Sequence, residues 1–118
     1  RFVAHVLQQK KLGTLLIDLL TSEEGKMDEA TSTLRFDIGL LTRRLCQVIE
    51  WLNTQKSVHF LPIGIFGAST GAAAALSAAA KIKQRISAVV SRGGRPDLVL
   101  NQLPAVTPST LLIVGGLD

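Results

Sequence analysis

The chain has no tyrosine, one tryptophan and four phenylalanines, so that aromatics make up only 4% of its 118 residues. This argues against base-stacking platforms of the kind that hold single-stranded nucleic acid, and a core must come from Leu, Ile, Val and much Ala. A single cysteine, Cys46, excludes an internal disulfide and a cysteine-cluster zinc site and fits a reducing compartment, the cytoplasm. No signal peptide is recognisable, and the longest small-apolar run, Gly71 to Ala80, is too short to cross a bilayer, so no membrane association is expected. Thirteen basic residues against nine acidic ones give a net charge of +4. They are scattered and lack interleaved aromatics, so no nucleic-acid partner is expected either. The acidic run Glu23 to Glu29 has no partner histidines, and neither a metal nor any other cofactor is called for.

What is present is apolar and periodic. Hydrophobic residues make up 47% of the chain, enough for one buried core, and the length suits one domain. Arg1 to Leu12 reads as an amphipathic surface helix, with Phe2, Val3, Val6 and Leu7 on one face and Gly13 ending it. Thr14 to Leu20, "TLLIDLL", is a continuous apolar run of the length of a buried parallel strand. Thr21 to Thr33 shows no clear period and reads as a solvated loop, with a helical turn within it as the alternative. Asp37 is placed to cap a helix reaching about Asn53, with Leu41, Leu45 and Ile49 in its buried stripe. "FLPIGIFG" forms the next strand, Gly71 to about Lys83 a helix, "ISAVVS" a strand, Leu98 to Leu103 a short helix, and "TLLIVGG" the last strand. The alternation predicts an α/β architecture: a doubly wound parallel sheet with helices on both faces. Such sheets carry their functional groups beyond the carboxyl ends of the strands.

One of those ends holds Gly67-Ala68-Ser69-Thr70-Gly71, a G-x-S-x-G run closing an apolar strand and opening an alanine-rich helix. A serine raised on so tight a turn leaves little room two residues away on either side, which Gly67 and Gly71 are expected to supply. The following helix start offers backbone N–H groups to a developing oxyanion. From the residues alone Ser69 reads as a nucleophile or as a helix cap, and the strand-to-helix context favours the first.

The run from "TLLIDLLTSEE" through "RFDIGLL", "PIGIFGASTGAAAAL" and "VVSRGGRPDL" to "TLLIVGGLD" resembles the dienelactone-hydrolase-like branch of the alpha/beta hydrolases. The likeness is strongest to bacterial proteins sometimes fused to a phosphoribosyltransferase domain. It implies a serine hydrolase of ester, lactone or thioester type acting on a small molecule, with the triad ordered nucleophile, acid, histidine. Ser69 matches the nucleophile, Thr70 the oxyanion-hole donor and Asp118 the acid. Dienelactone hydrolase proper carries cysteine where this chain has Ser69. The resemblance also implies that residues 1–118 are one partial hydrolase domain, cut at both ends. A further strand would then lie between Thr14–Leu20 and the serine-bearing strand, and the second oxyanion donor would lie upstream of Arg1. Its implied partners are a fused phosphoribosyltransferase domain or further copies of the chain. An alternative is a degenerate, non-catalytic domain that serves the fused transferase.

A serine hydroxyl needs an imidazole to take its proton. His59 precedes the serine-bearing strand and so sits at the wrong end of the sheet, and His5 shares the polar face of the first helix. The resemblance places the histidine beyond Asp118, and the 118 residues alone are expected to be inactive. Arg92 and Arg95 in "SRGGRPD" are candidates for holding a substrate carboxylate, or for pairing with Asp97. Asp97 is a second candidate for the acid, with a helix cap as its plainer role. Cys46 is expected to be packed rather than reactive.

Overall fold

The computed structural model describes residues 2–82 and 85–116. Helix α1 spans Phe2–Gln9 and stops before Gly13. Lys11 takes φ 65° instead, and the N–H groups of Lys11 and Leu12 donate to the carbonyls of Gln8 and Leu7. This paired closure satisfies the orphaned last carbonyls, so the glycine is not needed. Of the expected apolar face, Val3 and Leu7 are half-buried beside a buried Ala4, whereas Phe2 is 79% exposed.

The segment Thr14–Leu20 is not a strand. It pairs with no other segment among the described residues, and Leu15, Leu16 and Ile17 are exposed. Strand formation requires a neighbour to complete the ladder. The expected loop after this segment is in fact helix α2, Ser22–Thr31. Its start is a reciprocal capping box: the Glu24 N–H donates to Thr21 Oγ1 at 3.2 Å, and the Thr21 N–H donates to Glu24 Oε1 at 2.8 Å. Two N–H groups that the first turn would strand are thereby satisfied.

Helix α3, Ile38–Asn53, begins as expected, with the Leu40 N–H donating to Asp37 Oδ1 at 3.1 Å. Its buried stripe is Leu41, Thr42, Leu45 and Ile49. Strand β1, Ile63–Ala68, is followed by helix α4, Thr70–Lys81, in which every residue from Ala72 to Ala79 is buried. A helix buried all round belongs at the centre. Six alanines allow α4 to sit between α3, the strands and the segment Pro96–Ala105. The one polar member of the buried run Ala72 to Ala79, Ser77, donates its hydroxyl to Gln102 Oε1. Pro96–Ala105 is longer than the expected helix and is wound as 3-10 turns interrupted at Val99, whose φ/ψ of −135°/30° are not helical.

Strands β1, β2 (Ile86–Arg92) and β3 (Ser109–Ile113) form a parallel sheet in that order. Register pairs Phe66 with Val90 and Val90 with Leu111, so these three share one face. Helices on both faces were expected, yet among the described residues this face is open: Phe66 is 38% and Leu111 56% exposed. The opposite face carries Ile65, Val89 and Ser91 towards α4. The alternating burial of β1 records this one-sided cover.

Candidate active site

Ser69 stands between β1 and α4 with φ 54° and ψ −126°. A residue bearing a Cβ rarely adopts this backbone, and holding it costs roughly 1–3 kcal/mol. The turn is fixed from two sides: the Ser69 N–H donates to the Arg92 carbonyl of β2 at 3.4 Å, and the Ser69 carbonyl accepts from the Ala72 N–H at 3.1 Å. The serine occupies the cap position of α4 but makes no capping hydrogen bond. Its side chain is exposed. A cap serine takes extended backbone angles and turns its oxygen onto the first turn of the helix; Ser69 does neither. The N–H groups of Thr70 and Gly71 lie in that first turn, where an α-helix provides no acceptor of its own.

The two elbow glycines are not equivalent. A Cβ on Gly67 would lie 2.6 Å from the Gly71 carbonyl oxygen and 2.8 Å from the Ala72 Cα and N. A Cβ on Gly71 would meet nothing within 4 Å. The steric demand expected of both thus falls on Gly67, while Gly71 opens onto a cleft of about 480 Å³. Ile17, Asp18, Leu19, Leu20 and Thr21 line this cleft together with Thr70 and Gly71. Gly94, in the loop after β2, is crowded as well: a Cβ there would overlap Ser91 Oγ and come within 2.8 Å of Ala72 Cβ.

The residues around the elbow divide by partner. Arg95 is taken by Asp97, with Nε 3.0 Å from Oδ1 and Nη2 2.9 Å from Oδ2. These bonds hold the Asp97 carboxyl below the usual carboxylate range. The cap position of Pro96–Ala105 is Arg95, and Asp97 lies inside the first turn, so the cap role expected of Asp97 is replaced by an ion pair. Arg92 is exposed and forms no ion pair among the described residues. The proposed acid Asp118 lies outside the described residues. Burial pushes the Cys46 thiol up, with Glu50 adding to the effect and Lys81 opposing it.

Both histidines stand apart from Ser69. His59 precedes β1, whose six residues span roughly 20 Å, and its ring packs edge-on to Phe60 with centroids 5.7 Å apart. His5 lies on α1 with its Nε2 3.3 Å from Gln9 Nε2. Neither bonds Ser69.

Two carboxylates of the acidic run read from sequence as solvated, Glu24 and Asp28, are engaged by arginines, while Glu23 and Glu29 are exposed. Arg44 of α3 donates through both terminal nitrogens to the two Glu24 carboxylate oxygens, Nη2 to Oε2 at 2.8 Å, and its Nη1 also donates to the Leu19 carbonyl at 2.9 Å. Arg35 Nε donates to Asp28 Oδ2 at 2.7 Å, and the Arg35 N–H to Asp28 Oδ1 at 2.9 Å. The Arg44 bonds, together with the Thr21 N–H, lower Glu24 from 4.5 to about 2. Asp28 is also lowered, first by the Arg35 N–H. A carboxyl depressed in the fold contributes its stability fully above its unfolded value and loses it as pH falls through the folded one. Acid titration followed by circular dichroism is therefore expected to show stability declining from about pH 4.5 towards pH 2. Glu24→Gln should flatten that slope, and an unchanged slope would remove Glu24 from the account. The signal for this cluster was in the sequence as Thr21-x-x-Glu24, the signature of a capping box, whereas Arg44 gave no sign of its partner 20 residues away.

A solved dienelactone hydrolase from Anabaena variabilis superposes on 99% of this chain with a TM-score of 0.94 and 57% sequence identity. The chain is dienelactone-hydrolase-like in sequence and fold. It covers 54% of that structure's chain. Two curated proteins from strains of Mycobacterium tuberculosis, provisionally named phosphoribosyl transferases, are each 54% identical over all 118 residues. The dienelactone-hydrolase-like chain covers 26% of each of them. No protein-family model matches the chain. Among the described residues, no helix is long and apolar enough to cross a membrane.

Proposed function

We propose that the dienelactone-hydrolase-like chain supplies the nucleophile of a serine hydrolase acting on an ester, lactone or thioester. The observation that carries this reading is the strained, exposed, non-capping Ser69 at the end of β1. Strain of this kind persists only where surrounding packing enforces it. Ser69 Oγ attacks the carbonyl carbon of the substrate while its proton passes to an imidazole, and the oxyanion is met by the Thr70 N–H. The carbon–heteroatom bond then breaks, the leaving group takes the proton, and water releases the acyl group from Ser69 by the same steps. Asp118 is assigned to orient the imidazole. The histidine is assigned to residues outside these 118, in a longer protein such as the relatives represent.

A second reading has support in the phosphoribosyl transferase name of relatives four times the length of this chain. In that reading the domain is catalytically silent and serves a fused transferase. Fluorophosphonate labelling of the longer protein separates the two, because only an activated hydroxyl attacks such a probe at a useful rate. The hydrolase reading expects labelling that disappears in Ser69→Ala, and no nitrophenyl-ester turnover by the 118 residues alone. Equal labelling of the wild type and Ser69→Ala, or none in either, overturns it in favour of the silent domain.

A further inference from the structure

The segment Asp18–Thr21 belongs to no helix or strand, yet it lines the same cleft as Thr70 and Gly71. It also walls a second hollow of about 420 Å³, opening towards Val48 and Trp51 of α3. Leu19 and Leu20 pack against the core, but a strip of irregular backbone has no ladder to fix its carbonyl and N–H groups and needs directed bonds for that. Those bonds converge on one side chain. Arg44 reaches from the middle of α3 to the Leu19 carbonyl and to both oxygens of Glu24. Glu24 in turn accepts from the Thr21 N–H. Leu19 and Thr21 are therefore tied, directly and through one carboxylate, to a guanidinium anchored on a helix whose own face is packed into the core.

We propose that Arg44 is a positioning residue for the hydrolase site: it sets the Leu19–Thr21 part of the cleft that Thr70 and Gly71 also line, and so the fit of the substrate part that lies there. This inference rests on the hydrolase reading above. The planar guanidinium fork suits the task because it meets a carboxylate with two parallel bonds and still spares a donor for a carbonyl. A lysine ammonium at the same place keeps the charge but has no planar fork with which to hold both Glu24 oxygens and the Leu19 carbonyl in one geometry. Arg44 touches no reacting atom, so its loss is expected in substrate fit rather than in the reactivity of Ser69.

The test uses the longer parent protein and nitrophenyl esters of increasing acyl length. Arg44→Lys is expected to raise KM for the longer esters roughly tenfold, the scale of a sub-ångström to ångström displacement of a positioning wall. The rate at which a small fluorophosphonate labels Ser69 should stay within about twofold of wild type, since that probe needs little of the wall. Arg85→Lys is the control, because Arg85 is equally well bonded, to Asn53, Leu61 and His59, at the amino end of the sheet. It should lower thermal stability without moving KM. If Arg44→Lys does not fold, Glu24→Gln breaks the same clamp from the other side, and faster amide hydrogen exchange confined to residues 19–21 reports the loosened wall. An unchanged KM in a folded clamp variant, or an equal rise in Arg85→Lys, overturns the inference while labelling of Ser69 leaves the hydrolase reading intact. Absence of Ser69 labelling in the wild type overturns that reading and this inference with it.

Discussion

Gly67→Ala is expected to abolish the serine elbow as a functional unit and to destabilise the fold by at least about 3 kcal/mol. The added methyl would lie 2.6 Å from the Gly71 carbonyl oxygen and 2.8 Å from the Ala72 N and Cα. All three are backbone atoms of the first turn of α4, and that helix is buried from Ala72 onwards. No side chain can swing away, so β1 and α4 must separate. Their separation displaces Ser69, whose N–H reaches the Arg92 carbonyl at a distance already near the limit, 3.4 Å. Displacement of a nucleophile by about 1 Å lowers turnover on the order of 100-fold. Gly71→Ala is the matched comparison, since its methyl meets nothing within 4 Å, and within α4 it should leave stability unchanged or raise it by up to about 1 kcal/mol, the helix preference of alanine over glycine. Thermal denaturation and labelling of Ser69 on the two variants decide the matter. Similar losses in both would mean that the turn tolerates or rejects side chains for a reason other than the contact at Gly67.

The choice of acid carries the second large effect. Asp118→Asn in the longer protein is expected to lower kcat by about 10⁴, the scale seen when a triad imidazole loses the carboxylate that sets its tautomer. Stability should hardly change, because such a residue orients a side chain and supports no core. Asp97→Asn should leave kcat within a few-fold of wild type. Asp97 is bound bidentately by Arg95, and the pair is about half exposed on both sides, 45% and 55%. A carboxylate so engaged has no oxygen free to hold an imidazole without first giving up the guanidinium, and an exposed pair of this kind is worth at most about 1 kcal/mol. Steady-state kinetics on both variants, with thermal melts beside them, give the answer. Loss of turnover in Asp97→Asn with normal turnover in Asp118→Asn would reverse the assignment.

Sequence by itself determined the elements whose signals are local. The Asp37 cap and the stripe Leu41, Leu45 and Ile49 lie within one helix, and the alternation of apolar strands with helices between them gave a parallel α/β sheet, because parallel strands require long crossovers. The pattern Gly67-x-Ser69-x-Gly71 marked the turn between β1 and α4. Tertiary structure decided what depends on a second segment. Thr14–Leu20 is as apolar as a strand, but a strand is a relation between neighbours, and none is present for it among the described residues. Helices were expected over both faces of the sheet, but burial depends on what covers Phe66 and Leu111 rather than on their own character. Ser69 had two readings in sequence because a cap and an elbow use the same residue types; its backbone at φ 54° and its lack of a capping hydrogen bond, which no local pattern announces, speak against the cap. The Arg44 clamp joins positions 19, 24 and 44, a set that no local pattern connects and that only the packing of α3 beside that segment brings within bonding distance.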